Sequence, residues 1–138
     1  MRTFQTSGVT AVRTHMIFYV HDQERSKEFY ERVLGMAPSL HVEGMTEFML
    51  AGDCVLGLMP VAGIKRLLGE TLPDPSKADG IPRAELYLVV EEARLYHAAA
   101  LANGARELSP LAERNWGESV AYSLDPDGHV LAFAQAKA

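Results

Sequence analysis

The sequence contains the same strand–helix pattern twice, and this repeat constrains the fold more than any other feature. The first copy occupies residues 13–36, and a fainter copy occurs in the second half of the chain. Val20 corresponds to Val90, and Gly35 corresponds to Gly104 within one residue. A repeat of this size implies two similar units that bury a shared core.

The first copy predicts a strand followed by a capped helix. Residues 15–21 are rich in β-branched and aromatic side chains, and two apolar faces alternate along them. We expect Phe18 to face the core, with His15 and Tyr19 on the opposite face. The next helix is expected to start after Asp22, whose carboxylate can accept hydrogen bonds from free amides of the first turn. It should end at a glycine, which tolerates the left-handed conformation of a helix end.

The remaining pattern extends each copy into a module of one strand, one helix and three strands. We expect the first module at residues 13–60 and the second at residues 84–136, where the helix should pack through Leu95 and nearby alanines. Between them, residues 61–83 combine a predicted helix at 61–68 with a loop rich in glycine and proline. We interpret this insert as a linker packed on the sheet; a lid or a dimer-contact segment is the alternative.

Composition limits the kind of protein that this sequence encodes. A chain of 138 residues suits a single domain, here residues 1–138. The net charge of −5 and the absence of a basic run make nucleic acid and anionic membranes poor partners. Cys54 is the only cysteine, which fits a reducing compartment. No stretch approaches the ~20 apolar residues of a membrane span, so we predict a cytoplasmic protein.

Two motifs carry a family resemblance. The first joins THMI at residues 14–17 to ERSKEFYERVLGM at residues 24–36, and the second is LDPDGH at residues 124–129. Together they resemble the glyoxalase/bleomycin-resistance/extradiol-dioxygenase superfamily, also called vicinal oxygen chelate. The resemblance implies an α+β fold of two βαβββ modules, each with a curled mixed sheet, and a central insert. It also implies a cup for a small ligand or a metal, and a homodimer.

The resemblance places the metal ligands of metal-dependent members at His15, Gly57, Glu85 and Ala132. Glycine and alanine cannot coordinate a metal through their side chains, so His15 and Glu85 are the two candidate ligands that remain. Catalytic zinc and facial-triad iron sites use three protein ligands. A divalent metal such as Zn, Ni, Mn or Fe would therefore need a third ligand, which the spacing does not identify.

The same positions describe a mainly apolar cup, which is typical of small-molecule sites. We predict that its ligand contacts come from one group of residues: Tyr19, Gly57, Tyr87, Trp116 and Ala132. The two tyrosines can stack on a planar ligand or hydrogen-bond to it. Trp116 lies in a predicted loop at 110–117 that can close over the cup. Half-buried sheet tyrosines and a core or interface tryptophan fit the same pattern.

Two functions remain open at this point. The first is a dimeric binding protein that encloses a small, partly aromatic or apolar molecule, as drug-sequestering members of the family do. The alternative is a metal-dependent lyase, isomerase or dioxygenase that uses His15, Glu85 and a further ligand. Acid–base chemistry without metal is a variant of the alternative, since Glu85 in an apolar cup could have a raised pKa and act as base.

Overall fold

The computed structural model describes residues 11–137, which form two modules joined by a helical segment. The first module contains, in chain order, β1 (Thr14–Val20), α1 (Gln23–Leu34), β2 (Leu40–Val42), β3 (Met45–Leu50) and β4 (Cys54–Pro60). The joining segment contains α2 (Val61–Leu68) and two 3-10 turns (Gly69–Thr71 and Pro75–Lys77). The second module contains β5 (Glu85–Val89), α3 (Ala93–Ala102), β6 (Arg106–Glu113), β7 (Glu118–Leu124) and β8 (Val130–Ala136).

Each module folds its strands into one four-stranded sheet, in the orders β1-β4-β3-β2 and β5-β8-β7-β6. The first and last strands of each module pair in parallel, and the other neighbours pair antiparallel. A parallel pair needs a long connection, which the helix and the two intervening strands supply. The two mixed sheets with their helices confirm the predicted α+β class and the βαβββ repeat.

The start and end of α1 follow the sequence prediction. The side chain of Asp22 accepts a hydrogen bond from the backbone amide of Arg25 at 3.0 Å. Gly35 ends the helix in the left-handed conformation, with φ of 68°. The helix buries Phe29 and Tyr30 against the core face of β1, because apolar residues recur at helical spacing on this side.

Helix α3 packs through a different face from the predicted one. Its buried residues are Ala93, His97 and Ala100, whereas Leu95 keeps 53% of its surface exposed. These buried positions are spaced as i, i+4 and i+7, which is one face of a helix. Because one of the three residues is a histidine, the pattern of hydrophobic residues does not reveal this face. Its Nε2 lies 2.9 Å from Oε2 of Glu107, which satisfies one ring nitrogen of the buried side chain.

Strand β6 is longer than the sequence predicts, since it continues past Pro110 to Glu113. Register shifts interrupt its pairing with β7 between residues 107 and 112. Proline is tolerated at such irregularities because no ladder hydrogen bond is needed from its nitrogen. The predicted loop at 110–117 therefore shrinks to a tight turn, and Trp116 lies in that turn.

The helix-bearing faces of both sheets form one core. Phe18 and Phe48 of the first module pack in the same cluster as Leu131 and Phe133 of the second. Helices α1 and α3 also contact each other. The opposite face of each sheet carries no helix of the same module, and we call these surfaces the first and second free faces.

The turn between β7 and β8 connects the second module to α1 through side-chain hydrogen bonds. Asp125 is only 4% exposed and accepts a hydrogen bond from the Tyr30 hydroxyl at 2.5 Å. Asp127 accepts hydrogen bonds from the backbone amide of His21 at 2.9 Å and from Ser26 Oγ at 3.1 Å. Two carboxylates of one turn thus hold the start and the middle of a helix from the other module.

The segment between the modules packs mainly through its ends. Helix α2 spans the predicted residues, yet it buries Ile64 while Leu67 remains 70% exposed. Further along, the backbone of Gly80 lies against Gly128 so closely that a Cβ atom on Gly128 would be 3.0 Å from the Gly80 carbonyl oxygen. None of the helices in residues 11–137 is both long and apolar enough to cross a membrane.

Candidate functional site

The first free face presents apolar side chains to the outside of the chain. Strand register places Ile17 beside Gly57 on β4, and Gly57 in turn beside Glu47 on β3. Residues directly opposite each other on paired strands share a face of the sheet. The exposed large apolar side chains of this face are Ile17 (39%), Tyr19 (36%), Leu40 (39%), Val42 (51%) and Met49 (43%).

Gly57 is buried at the centre of this face. A Cβ atom there would lie 3.1 Å from Ile17 Cγ1 and 3.3 Å from Met45 Sδ. A side chain at this position would therefore have to displace its neighbours. The side chains of Ile17 and Met45 thus occupy the space above Gly57.

His15 lies on the same face, between a cation and a carboxylate. Arg13 Nε donates a hydrogen bond to His15 Nε2 at 2.8 Å. On the other side of the ring, Nδ1 lies 3.6 Å from Glu47 Oε2. Because the Arg13 N–H requires a lone pair on Nε2, the proton of the neutral imidazole is on Nδ1, which faces Glu47. Sequence reasoning missed Glu47, whose carboxylate approaches the histidine across β4 past Gly57.

Glu85 occupies an exposed position at the start of β5. Within residues 11–137, no hydrogen bond or ion pair joins it to His15, whose carboxylate neighbour is Glu47. The same part of the chain contains no group of three or more His, Cys, Asp and Glu side chains that could hold a metal. The donors of one chain therefore do not fit a three-ligand metal site, and His15 with Glu85 as metal ligands stays a prediction.

The second free face is built around Ala132. Strand register places Tyr87 and Tyr122 on either side of it, and both rings pack on a small cluster with Val120 and Ala134. Ala132 itself is fully buried beneath its neighbours. The two tyrosine side chains therefore cover the alanine methyl group and form the aromatic surface of this face.

Trp116 extends this aromatic surface from the β6–β7 turn. Its indole Nε1 donates a hydrogen bond to the Tyr87 hydroxyl at 2.9 Å, and the Tyr87 hydroxyl donates to Glu118. Desolvation and the hydrogen bond to Glu118 raise the pKa of Tyr87, so the phenol keeps its proton at neutral pH. Trp116 remains 54% exposed, so one face of the indole is open. The structure thus brings two of the predicted ligand contacts together with Ala132, while Tyr19 and Gly57 lie on the other sheet.

Arg114 is the residue of this face that sequence reasoning missed. Its guanidinium carbon lies 5.2 Å from the centre of the Tyr122 ring. Its Nη2 donates hydrogen bonds to Ser109 Oγ at 2.7 Å and to the Val120 carbonyl oxygen at 2.9 Å. The available signal was its place two residues before Trp116, but its contacts with Ser109 and Tyr122 lie on two different strands, which the sequence pattern does not align.

The fold and the free faces define a class of α+β protein with two βαβββ modules, and comparisons with known proteins identify the family. Residues 13–133 match the family model described as the Glyoxalase/Bleomycin resistance protein/Dioxygenase superfamily. The chain belongs to this superfamily, which confirms the resemblance seen in its two motifs. A comparison with curated proteins gave no match.

Solved structures share the fold at low sequence identity. A glyoxalase-related enzyme from Fulvimarina pelagi superposes with a TM-score of 0.75 at 21% identity, covering 92% of this chain and 88% of that one. A glyoxalase/bleomycin resistance protein/dioxygenase from Nocardioides has a TM-score of 0.72 at 20% identity, covering 95% and 87%. A family enzyme from Burkholderia phytofirmans PsJN has a TM-score of 0.75 at 16% identity, covering 90% and 98%. At these identities the likeness concerns the fold alone.

Proposed function

We propose that the protein binds and encloses a small, partly aromatic or apolar molecule on its free sheet faces, and that it acts by sequestration. The observation that carries this proposal is the row of exposed apolar side chains on the first free face, from Ile17 on β1 to Val42 on β2. Contiguous exposed apolar surface on a folded chain usually marks a ligand or partner site.

The second free face supplies the aromatic part of the proposed site. Tyr87 and Tyr122 pack over Ala132, and Trp116 is hydrogen-bonded to Tyr87, so this face offers aromatic surface to a planar ring. Apolar walls with a few polar anchors are the usual composition of small-molecule sites. Tyr19 supplies a further ring on the first free face, where it is 36% exposed.

Trp116 gives a direct test, because it is the only tryptophan of the chain. We expect planar aromatic compounds from a panel of neutral and charged members to change its fluorescence saturably. Tyr87→Phe removes the hydrogen-bond acceptor of the indole and should weaken this binding by about threefold to tenfold. Tyr96→Phe is the matched control, since Tyr96 packs near Phe133 on the core side. The absence of saturable binding across the panel would contradict the proposed function.

We also propose that a second copy of the chain covers the first free face and completes the enclosure. Light scattering should then give twice the 15.1 kDa mass of one chain. Val42→Glu places a charge on this face and should weaken the dimer at least about tenfold, because a buried unpaired charge is costly. Leu67→Glu, on the exposed side of α2, is the control and should leave the mass unchanged. A wild-type protein that stays monomeric would count against this arrangement.

The proposed location is the cytoplasm. Cys54 is free and half-buried, and as the only cysteine it cannot form a disulfide within the chain. A chain without an internal disulfide does not depend on an oxidising compartment. The net charge of −5 gives no general attraction to nucleic acid or to anionic membranes, which leaves small molecules as the proposed partners.

The alternative function is a lyase, isomerase or dioxygenase that depends on a divalent metal. It requires His15, Glu85 and a third donor, whereas the described part of one chain pairs His15 with Glu47 alone. A carboxylate that acts as a general base benefits from apolar surroundings, but Glu85 is exposed. Both points favour ligand binding over metal-dependent catalysis.

A further inference from the structure

Arg114 is a half-buried cation on the second free face without a carboxylate partner. No ion pair in the described part of the chain includes it. Its two hydrogen bonds go to neutral oxygens, those of Ser109 and the Val120 backbone. Neutral acceptors satisfy the N–H groups of Nη2, but they do not neutralise a charge that has been partly withdrawn from water.

The guanidinium is held firmly in this position. Nη2 bridges β6 and β7 through its two acceptors, and the planar group lies over the Tyr122 ring. Nε is buried and has no hydrogen-bond partner among the described residues. Both hydrogens of Nη2 are thus used and Nε is buried, so Nη1 is the nitrogen of this pre-organised group that can donate to an anion such as a carboxylate.

The surroundings of Arg114 match a ligand that is both aromatic and anionic. Tyr87, Ala132 and Tyr122 are consecutive partners across three strands, so the two aromatic side chains lie on the same face of the sheet as the cation. We propose that this face binds a planar molecule carrying an anionic oxygen group, such as an aromatic carboxylate, with Arg114 as the anchor of the charge. This inference specifies the ligand class of the proposed function and rests on it.

Glu118 is an acidic residue close to Arg114 along the chain, and its backbone carbonyl accepts a hydrogen bond from the Arg114 amide. Its carboxylate accepts the hydrogen bond of Tyr87, and it forms no ion pair with Arg114. Glu113, at the end of β6, is instead paired with Lys137 at 3.8 Å. Neither of these carboxylates therefore neutralises the positive charge of Arg114.

A purely structural role for Arg114 makes a different prediction. The Nη2 bridge lies where the pairing of β6 with β7 is irregular, so it also stabilises that hairpin. A structural residue would affect the affinities for charged and neutral ligands equally. An anchor for an anion would affect the charged ligand alone, which makes charge selectivity the decisive measurement.

The experiment compares 1-naphthoate with 1-naphthamide by calorimetry, since the two have similar shape and differ in charge. The wild-type protein should bind the naphthoate about tenfold more tightly, as expected for one charge-assisted contact. Arg114→Gln should reduce this preference to near unity, whereas Arg106→Gln, an exposed arginine at the other end of β6, should preserve it. A preference that persists in Arg114→Gln would overturn the inference.

Further outcomes separate this inference from the proposed function. If both probes bind the wild-type protein equally, the anionic ligand class is wrong and the binding function stands. If neither probe binds but another compound of the fluorescence panel does, the anionic ligand class is wrong and the binding function stands; if no compound binds, both fail. If Arg114→Gln does not fold, the test uses Arg114→Lys and the dependence of binding on salt concentration. The lysine variant should keep part of the preference, and added salt should weaken binding of the naphthoate but not of the naphthamide.

Discussion

Replacing Asp125 with alanine is expected to lower the free energy of unfolding by about 3 kcal/mol, the largest effect of a single polar substitution that we predict for this chain. Asp125 accepts hydrogen bonds from the Tyr30 hydroxyl and from the backbone amides of Asp127 and His129. The substitution leaves all three donors without this acceptor at a buried junction between the modules. Urea unfolding followed by circular dichroism measures the loss.

Asp74→Ala is the matched control for this experiment. Asp74 also accepts a backbone hydrogen bond within a turn, from Ser76 at 3.0 Å, but it is only partly buried, whereas Asp125 is 4% exposed. Its loss should be much smaller, because water replaces the missing acceptor. Tyr30→Phe completes a double-mutant cycle that isolates the contact between the hydroxyl and Asp125. Equal losses for the two aspartates would show that burial at the junction does not matter.

The pH dependence of stability provides a second measurement on Asp125. Burial raises the pKa of this carboxyl above its usual value, and the hydrogen bond from Tyr30 offsets only part of that effect. The native state therefore keeps a proton that the unfolded state has lost. The stabilisation is complete below the unfolded pKa of about 3.9 and is lost as pH rises through the higher folded pKa. The stability of the wild type relative to Asp125→Asn should fall across this window.

Gly128→Ala is expected to destabilise the protein by about 3 kcal/mol for two separate reasons. Gly128 has a φ of +90°, which strains any residue with a Cβ atom. The new methyl group would also lie 3.0 Å from the carbonyl oxygen and 3.1 Å from the Cα atom of Gly80. Because the contact is with backbone, a side-chain rotation cannot relieve it. Thermal and urea unfolding of the variant test this expectation.

Gly44→Ala separates the two contributions. Gly44 has nearly the same φ, +93°, but a Cβ atom there meets nothing within 4 Å. It should therefore show the strain alone, about 1–2 kcal/mol. The difference between the two variants measures the close packing of the central segment on the β7–β8 turn. If Gly44→Ala costs as much as Gly128→Ala, the contact with Gly80 contributes nothing.

The sequence by itself determined the features that depend on neighbours along the chain. The order of strands and helices follows from the period of the apolar residues, and the ends of α1 follow from Asp22 and Gly35. The two family motifs are local in the same sense, and the match over residues 13–133 confirms them. Patterns of this kind are visible because the interactions that produce them lie within a few residues.

The prediction of which face of α3 is buried was wrong. A histidine and two alanines form the buried stripe, and Leu95 points outward. His97 can be buried there because Glu107, on the following strand, pairs with it. Because Glu107 lies on β6 and not in the helix, the periodicity of the helix sequence could not show that His97 is buried.

Only the tertiary structure decided which side chains meet on the free faces. His15 contacts Glu47 across an intervening strand, and Arg114 reaches Tyr122 past the irregular pairing of β6 with β7. Both contacts depend on strand register and on a missing or displaced side chain between the partners. A shift of one residue along a strand turns each side chain to the other face. The sequence therefore determined the two modules, and the packing of the sheets determined the candidate site.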